Sequence, residues 1–145
     1  MIAHAGGRTS RATGAKYETS GGPVARELRR GEGMRNHLHQ QPLEHALEVI
    51  TLAQPLVEAV ARKDRDLGVQ LRRALSSIAL NIAEASGNQA GNARLRYESA
   101  RGSLYEARAA LRVAVAWGYV SGDSARDVLE SLNALGGRVF GLARR

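Results

Sequence analysis

The stretch Gln70–Gly87, QLRRALSSIALNIAEASG, decides the fold class. With Leu67 just upstream, its apolar side chains are Leu71, Ala74, Leu75, Ile78, Ile82 and Ala85. They recur at three- and four-residue steps, which gathers them on one face of an α-helix; a strand would alternate at every second residue. The spacing predicts a helix from about Asp66 to Ala85, ended by Ser86-Gly87-Asn88, with Gly87 suited to a left-handed cap.

Working outward, the same period governs both flanks. Upstream, Leu43, Ala46, Leu47, Ile50, Ala53, Val57 and Val60 share a face, so a helix is expected from Pro42 onward. A first-turn proline sacrifices no hydrogen bond, which makes Pro42 a good start. Pro55 falls inside the pattern, where its ring crowds the Thr51 carbonyl and predicts a kink. Arg62-Lys63-Asp64-Arg65-Asp66 reads as the connection to the next helix. Downstream, a third helix is expected from Gly91 to about Trp117, closed by Gly118. A fourth follows Ser121, a good N-cap, with Asp123 favourable in its first turn and a stripe of Ala125, Val128, Leu129, Leu132, Leu135, Val139 and Leu142. Four helices with short links imply an all-α, antiparallel up-down-up-down four-helix bundle over residues 41–145.

Composition agrees with this and bounds the function. At 145 residues the chain suits one domain with its own core. Aromatic residues make up only 4%, and Ala, Leu and Val supply the apolar mass, as close helix packing prefers. The absence of cysteine removes disulfides, thiolate nucleophiles and cysteine-ligated metals, and suits a cytoplasmic location. No apolar run approaches the ~18 residues that span a bilayer, and MIAHAGGRTSRATG at the N-terminus lacks the apolar core of a secretory signal. The net charge is +7, and all but Lys16 and Lys63 of the 21 basic residues are arginine. Such a balance fits a nucleic-acid partner or an acidic protein partner; replacement of Lys by Arg throughout an Arg-rich genome is the plainer alternative.

Residues 1–40 have a different character. They contain seven of the 16 glycines and no apolar period, and seven Lys/Arg against three Glu give them a net charge of +4. This composition predicts a disordered, basic Gly/Arg-rich tail. Met34 stands just before the first helical pattern, and Arg30-Gly31-Glu32-Gly33 could be encoded by a purine-rich stretch of the ribosome-binding type. The expectation is that residues 1–33 are non-native and that Met34 is the true start; the upstream DNA tests it.

The third helix carries two apolar faces at about 100° per residue. One collects Leu95, Gly102, Ala109, Val113, Ala116 and Trp117; the other, nearly opposite, collects Tyr97, Ala100, Leu104, Ala107, Leu111 and Val115. A monomeric bundle needs one buried stripe per helix, so a second predicts self-association. Tyr97, Ala100, Leu104, Leu111 and Val115 are the expected oligomer interface; a central helix with three neighbours is the simpler alternative. Between the faces runs a basic row, Arg94, Arg101 and Arg108, with Arg112 beside it. Repeated in a ring of subunits, the row would hold phosphates of RNA or DNA without reading bases, against the plain reading of a solvated face.

The second helix carries a polar line beside its core stripe: Gln70, Arg73, Ser77, Asn81 and Glu84. At three- and four-residue spacing these can form a hydrogen-bonded ladder, which in a bundle fixes register rather than performs chemistry. Glu106 is expected as a buried partner for an arginine in that structural network. His37, His39 and His45 have only Glu44 and Glu48 to complete a metal site, and no Glu-x-x-His pair recurs as a di-iron bundle requires. With no phosphate-binding glycine loop and no nucleophile–base pair, no enzyme, cofactor or metal is expected.

Gln70 to Gly87, followed by Gly102-Ser103-Leu104-Tyr105-Glu106 and by Trp117-Gly118-Tyr119-Val120, resembles the bacterial four helix bundle proteins encoded by intervening sequences of 23S ribosomal RNA genes. The similarity covers about residues 43 to 143. The resemblance implies a left-handed up-down bundle assembled as a ring-shaped homopentamer, and gives no biochemical role. A more distant likeness is to the accessory variability protein of diversity-generating retroelements, a basic pentamer that partners reverse transcriptase and binds nucleic acid. By similarity Arg72, Arg73, Asn81, Glu84, Gly102, Ser103 and Glu106 occupy recurrent positions, and Gly102 would permit close helix approach. This chain departs from the pattern at Arg108, where the family often has an acidic residue. Two functions follow as expectations: a non-enzymatic homo-oligomeric accessory or scaffold protein associated with nucleic acid, or a structural or regulatory protein–protein interaction module that binds none.

Overall fold

The computed structural model describes residues 23–145, with side chains described from Gln41 onward. Four helices follow one another, α1 (Pro23–Lys63), α2 (Arg65–Ser86), α3 (Ala90–Ala116) and α4 (Gly122–Ala143), and there is no strand among the described residues. Each packs on its chain neighbour and α1 also packs on α4, so the four close around one core as an antiparallel bundle.

That core is built from a three-four alternation on every helix. Ala46, Val49, Ala53, Leu56, Val57 and Val60 come from α1, and Leu71, Ala74, Leu75, Ile78, Ile82 and Ala85 from α2. Tyr97, Ala100, Leu104, Ala107, Leu111 and Ala114 come from α3, and Ala125, Val128, Leu132, Leu135 and Val139 from α4. The alternation averages 3.5 residues, the period that keeps a seam facing its partners. Each fully buried Leu, Ile or Val contributes roughly 1.5–3 kcal/mol. No polar or charged residue is buried among the described residues.

The boundaries differ from expectation in three places. First, α1 starts at Pro23, so Pro42 is a buried interior residue and not the start, and residues 23–40 of the expected tail follow a helical backbone. Good helix formers such as Glu27, Leu28, Arg29, Arg30 and Leu38 favour this once Pro23 has set the first turn. Residues 1–22 of that tail lie outside the described residues. Second, the connection after α1 shrinks to Asp64, whose carboxylate caps α2 by accepting the Leu67 N–H at 2.9 Å. The turn is tight because Gly68 lies directly against α1; a Cβ there would stand 2.6 Å from Ala61 Cβ. Third, Gly87 ends α2 with φ −93°, in the right-handed region, and among the described residues the left-handed glycine is Gly118 after α3, at φ 73°. The Ser121 cap is formed as expected: its Oγ accepts the Ser124 N–H at 3.1 Å.

Candidate nucleic-acid interface

Helix α3 does carry two apolar faces, but the bundle takes the one expected to face a partner. Tyr97, Ala100, Leu104 and Leu111 are buried within the subunit, and Val115 packs half-buried against the same core. They are therefore not a free interface. They win the core because 97, 100, 104, 107, 111 and 114 form an unbroken three-four seam, whereas the opposite face is interrupted by polar positions between Leu95 and Ala109. That opposite face is left open: Leu95 is 66% and Trp117 71% exposed, and Gly102, Ala109, Val113 and Ala116 are exposed with them. Gly102 does not permit a close approach within the subunit, since a Cβ there would meet nothing within 4 Å.

The basic row runs beside this surface, and its members differ. Arg94 and Arg112 are exposed; Arg101 and Arg108 are half-buried at the seam between α3 and α4. There they line a groove of about 260 Å³ with Tyr105, Leu104, Leu132, Asn133, Gly136, Gly137 and Phe140. The Arg101 guanidinium lies 4.9 Å from the centre of the Phe140 ring, and that of Arg144, just past α4, lies 5.1 Å from it. Both contacts are cation–π in character. Arg101 also donates to Glu98 at 2.8 Å. Its charge is held more firmly still, first by its hydrogen bond to Tyr105 and then by the Glu98 carboxylate. Past Glu130 the chain has three arginines and no acid, so positive charge accumulates at this end of α4.

The polar line on α2 separates into three pieces. Asn81 donates to the Ser77 carbonyl at 2.9 Å and to Ser77 Oγ at 3.1 Å, and Ser77 Oγ meets Ser103 Oγ of α3 at 2.8 Å. This half-buried cluster ties α2 to α3. Glu84 instead pairs with Arg96 at 2.9 Å across an exposed edge. Arg73 and Glu106 are both exposed and share a shallow hollow with Asp66, Val69 and Gln70, so Glu106 is not a buried partner. Its carboxylate keeps water because α3 turns that position away from the seam.

Over residues 36–141 the chain matches the family model of the 23S rRNA-intervening sequence protein. The chain belongs to the 23S rRNA-intervening sequence protein family. A comparison with curated proteins finds none that matches it. In this family member the matched stretch takes in all of α2 and α3 and most of α1 and α4 past Arg35.

The histidines of this intervening-sequence protein do not converge. His45 Nε2 lies 3.1 Å from Ser131 Oγ across the α1–α4 seam, and its Nδ1 is buried without a hydrogen-bond partner. Burial, and then the neighbouring Arg138 charge, push its pKa below the usual histidine value, with Glu48 opposing. His37 and His39 lie outside the residues with described side chains. No group of three or more metal-ligating side chains occurs among the described residues. No helix of the described residues is long and apolar enough to cross a membrane. Tyr105, Asn133, Gly136, Gly137, Phe140 and Arg144 accompany the arginine row although no helical period in the sequence marks them. The available signal was the pair Gly136-Gly137 in the middle of α4, which helix propensity disfavours.

Proposed function

We propose that this family member is a non-enzymatic, homo-oligomeric accessory or scaffold protein that associates with RNA or DNA through the α3–α4 face. The observation that carries the reading is the convergence of Arg101, Arg108 and Arg144 around a groove with the aromatic rings of Tyr105 and Phe140. Arginines supply sequence-independent phosphate contacts, and aromatic rings beside them offer stacking. The side chains of Arg94 and Arg112 extend the same positive surface along α3. The exposed apolar side chains of Leu95 at one end of α3 and of Val113 and Trp117 at the other support assembly, because a neighbouring copy would cover them. Five copies is the size the resemblance implies, and a ring would repeat the arginine row around its surface.

The same open face also favours a second reading, a protein–protein module whose partner covers Leu95 and Trp117. Titration with labelled RNA and DNA at low and high salt separates the two. Binding at low salt that weakens steeply with salt supports nucleic-acid association, and absence of binding even at low salt leaves the interaction module. Light scattering tests the assembly: a species several times the 15.6 kDa chain mass is expected, and a monomer at micromolar concentration would refute it.

A further inference from the structure

Gly136 and Gly137 have no explanation inside the subunit. A Cβ at either position would meet nothing within 4 Å, so bundle packing does not require a bare backbone there. Glycine in a helix interior is unfavourable relative to alanine, and two in succession compound the effect. What the two residues do accomplish is to keep the α3–α4 groove open, since both line it. The groove is flanked by Tyr105, a residue 59% exposed, and by Phe140 beneath two guanidiniums. Asn133 adds an amide with both a donor and an acceptor to the lining.

We propose that this groove is a subsite for one unpaired nucleotide of a single strand, an inference that rests on the nucleic-acid reading above and narrows its ligand. The base enters over Gly136-Gly137 and stacks on Tyr105. Asn133 meets its edge, and Arg108 with the Phe140-aligned Arg101 and Arg144 holds the flanking phosphates. A volume of about 260 Å³ admits one planar ring and is small for a larger ligand. A duplex keeps its bases stacked inside and would reach only the arginines, leaving Tyr105, Asn133 and the two glycines without a role. Stacking on an aromatic ring tolerates any base, so the subsite selects strandedness rather than sequence.

The test compares a fluorescent twelve-nucleotide oligothymidine with a duplex of the same length, by anisotropy on the full-length protein. The expected result is tighter binding of the single strand, with Tyr105→Ala weakening it about ten-fold and the duplex, which loses only the Tyr105 support of Arg101, much less. Gly136→Leu, which fills the groove, should abolish the preference while circular dichroism shows the bundle as stable as before. Equal affinity for both forms, or full single-strand preference in both variants, would overturn the subsite and leave phosphate binding by the arginines standing. No binding of either form at low salt would remove the subsite and the nucleic-acid reading together.

Discussion

Two glycine sites in the same bundle have opposite surroundings. At Gly68 a Cβ would collide with Ala61 of α1 at 2.6 Å, whereas at Gly136 it would meet open space. The first glycine is explained by the chain's own packing: it lets α2 turn back against α1 across a one-residue link. The second is unexplained from inside and opens a charged groove toward solvent. Helix α3 repeats the contrast, with Leu111 closed in the core and Leu95 open on the outer face. Residues that the subunit needs for itself and residues that face outward can thus be separated by asking what each one touches.

That separation can be broken by substitution. Leu111→Ala should cost about 2–5 kcal/mol in a denaturant titration, while Leu95→Ala should leave the folding free energy nearly unchanged and alter only the assembled mass. Comparable losses at the two positions would erase the distinction between the faces. Gly68→Ala should cost about 1–3 kcal/mol, because the obstructing Ala61 atoms include backbone that cannot move aside. Gly136→Ala should do the reverse and stabilise the bundle by about 0.5–1 kcal/mol; a loss there would mean that the glycine serves internal packing after all.

The smallest effect concerns the α1–α4 seam. Burial and Arg138 depress the folded-state pKa of His45 below its ordinary value of 6.5, so the fold favours the neutral ring. Its contribution is fully present above the unfolded pKa and is lost as pH falls from about 6.5 through the lower folded-state value. Melting temperatures from pH 7.5 to 5 should therefore decline more steeply for the wild type than for His45→Gln. Parallel profiles would show that the seam does not sense this ring.

Much of the fold was legible in the sequence, and the failures have physical causes. The α2 stripe was readable because Leu71, Leu75, Ile78 and Ile82 are set off by polar positions such as Arg72, Arg73, Ser76, Ser77 and Asn81. Helix α3 misled because both of its faces are apolar, and large outer residues such as Leu95 and Trp117 draw the eye from the Ala-rich seam that is buried. The decisive sign was regularity: an unbroken three-four alternation outranks bulk. Glu106 was misplaced for a related reason, since a position next to the core stripe can still turn outward into the hollow beside Arg73. The Ser77–Asn81 bond is local and predictable, but its link to Ser103 depends on how α2 and α3 meet. The groove belongs to two helices at once, so no single period announces Tyr105 and Phe140 as neighbours of Arg101.

If arginines of α3 contact phosphates, the salt dependence of binding reports how many. For a single strand, the slope of log K against log salt is about −0.7 per phosphate contacted. Replacing Arg94, Arg101 and Arg108 by alanine together should therefore flatten the wild-type slope by about 2 while the bundle remains folded. An unchanged slope in the folded triple variant would contradict the account and place the phosphate contacts, if any exist, elsewhere on the molecule.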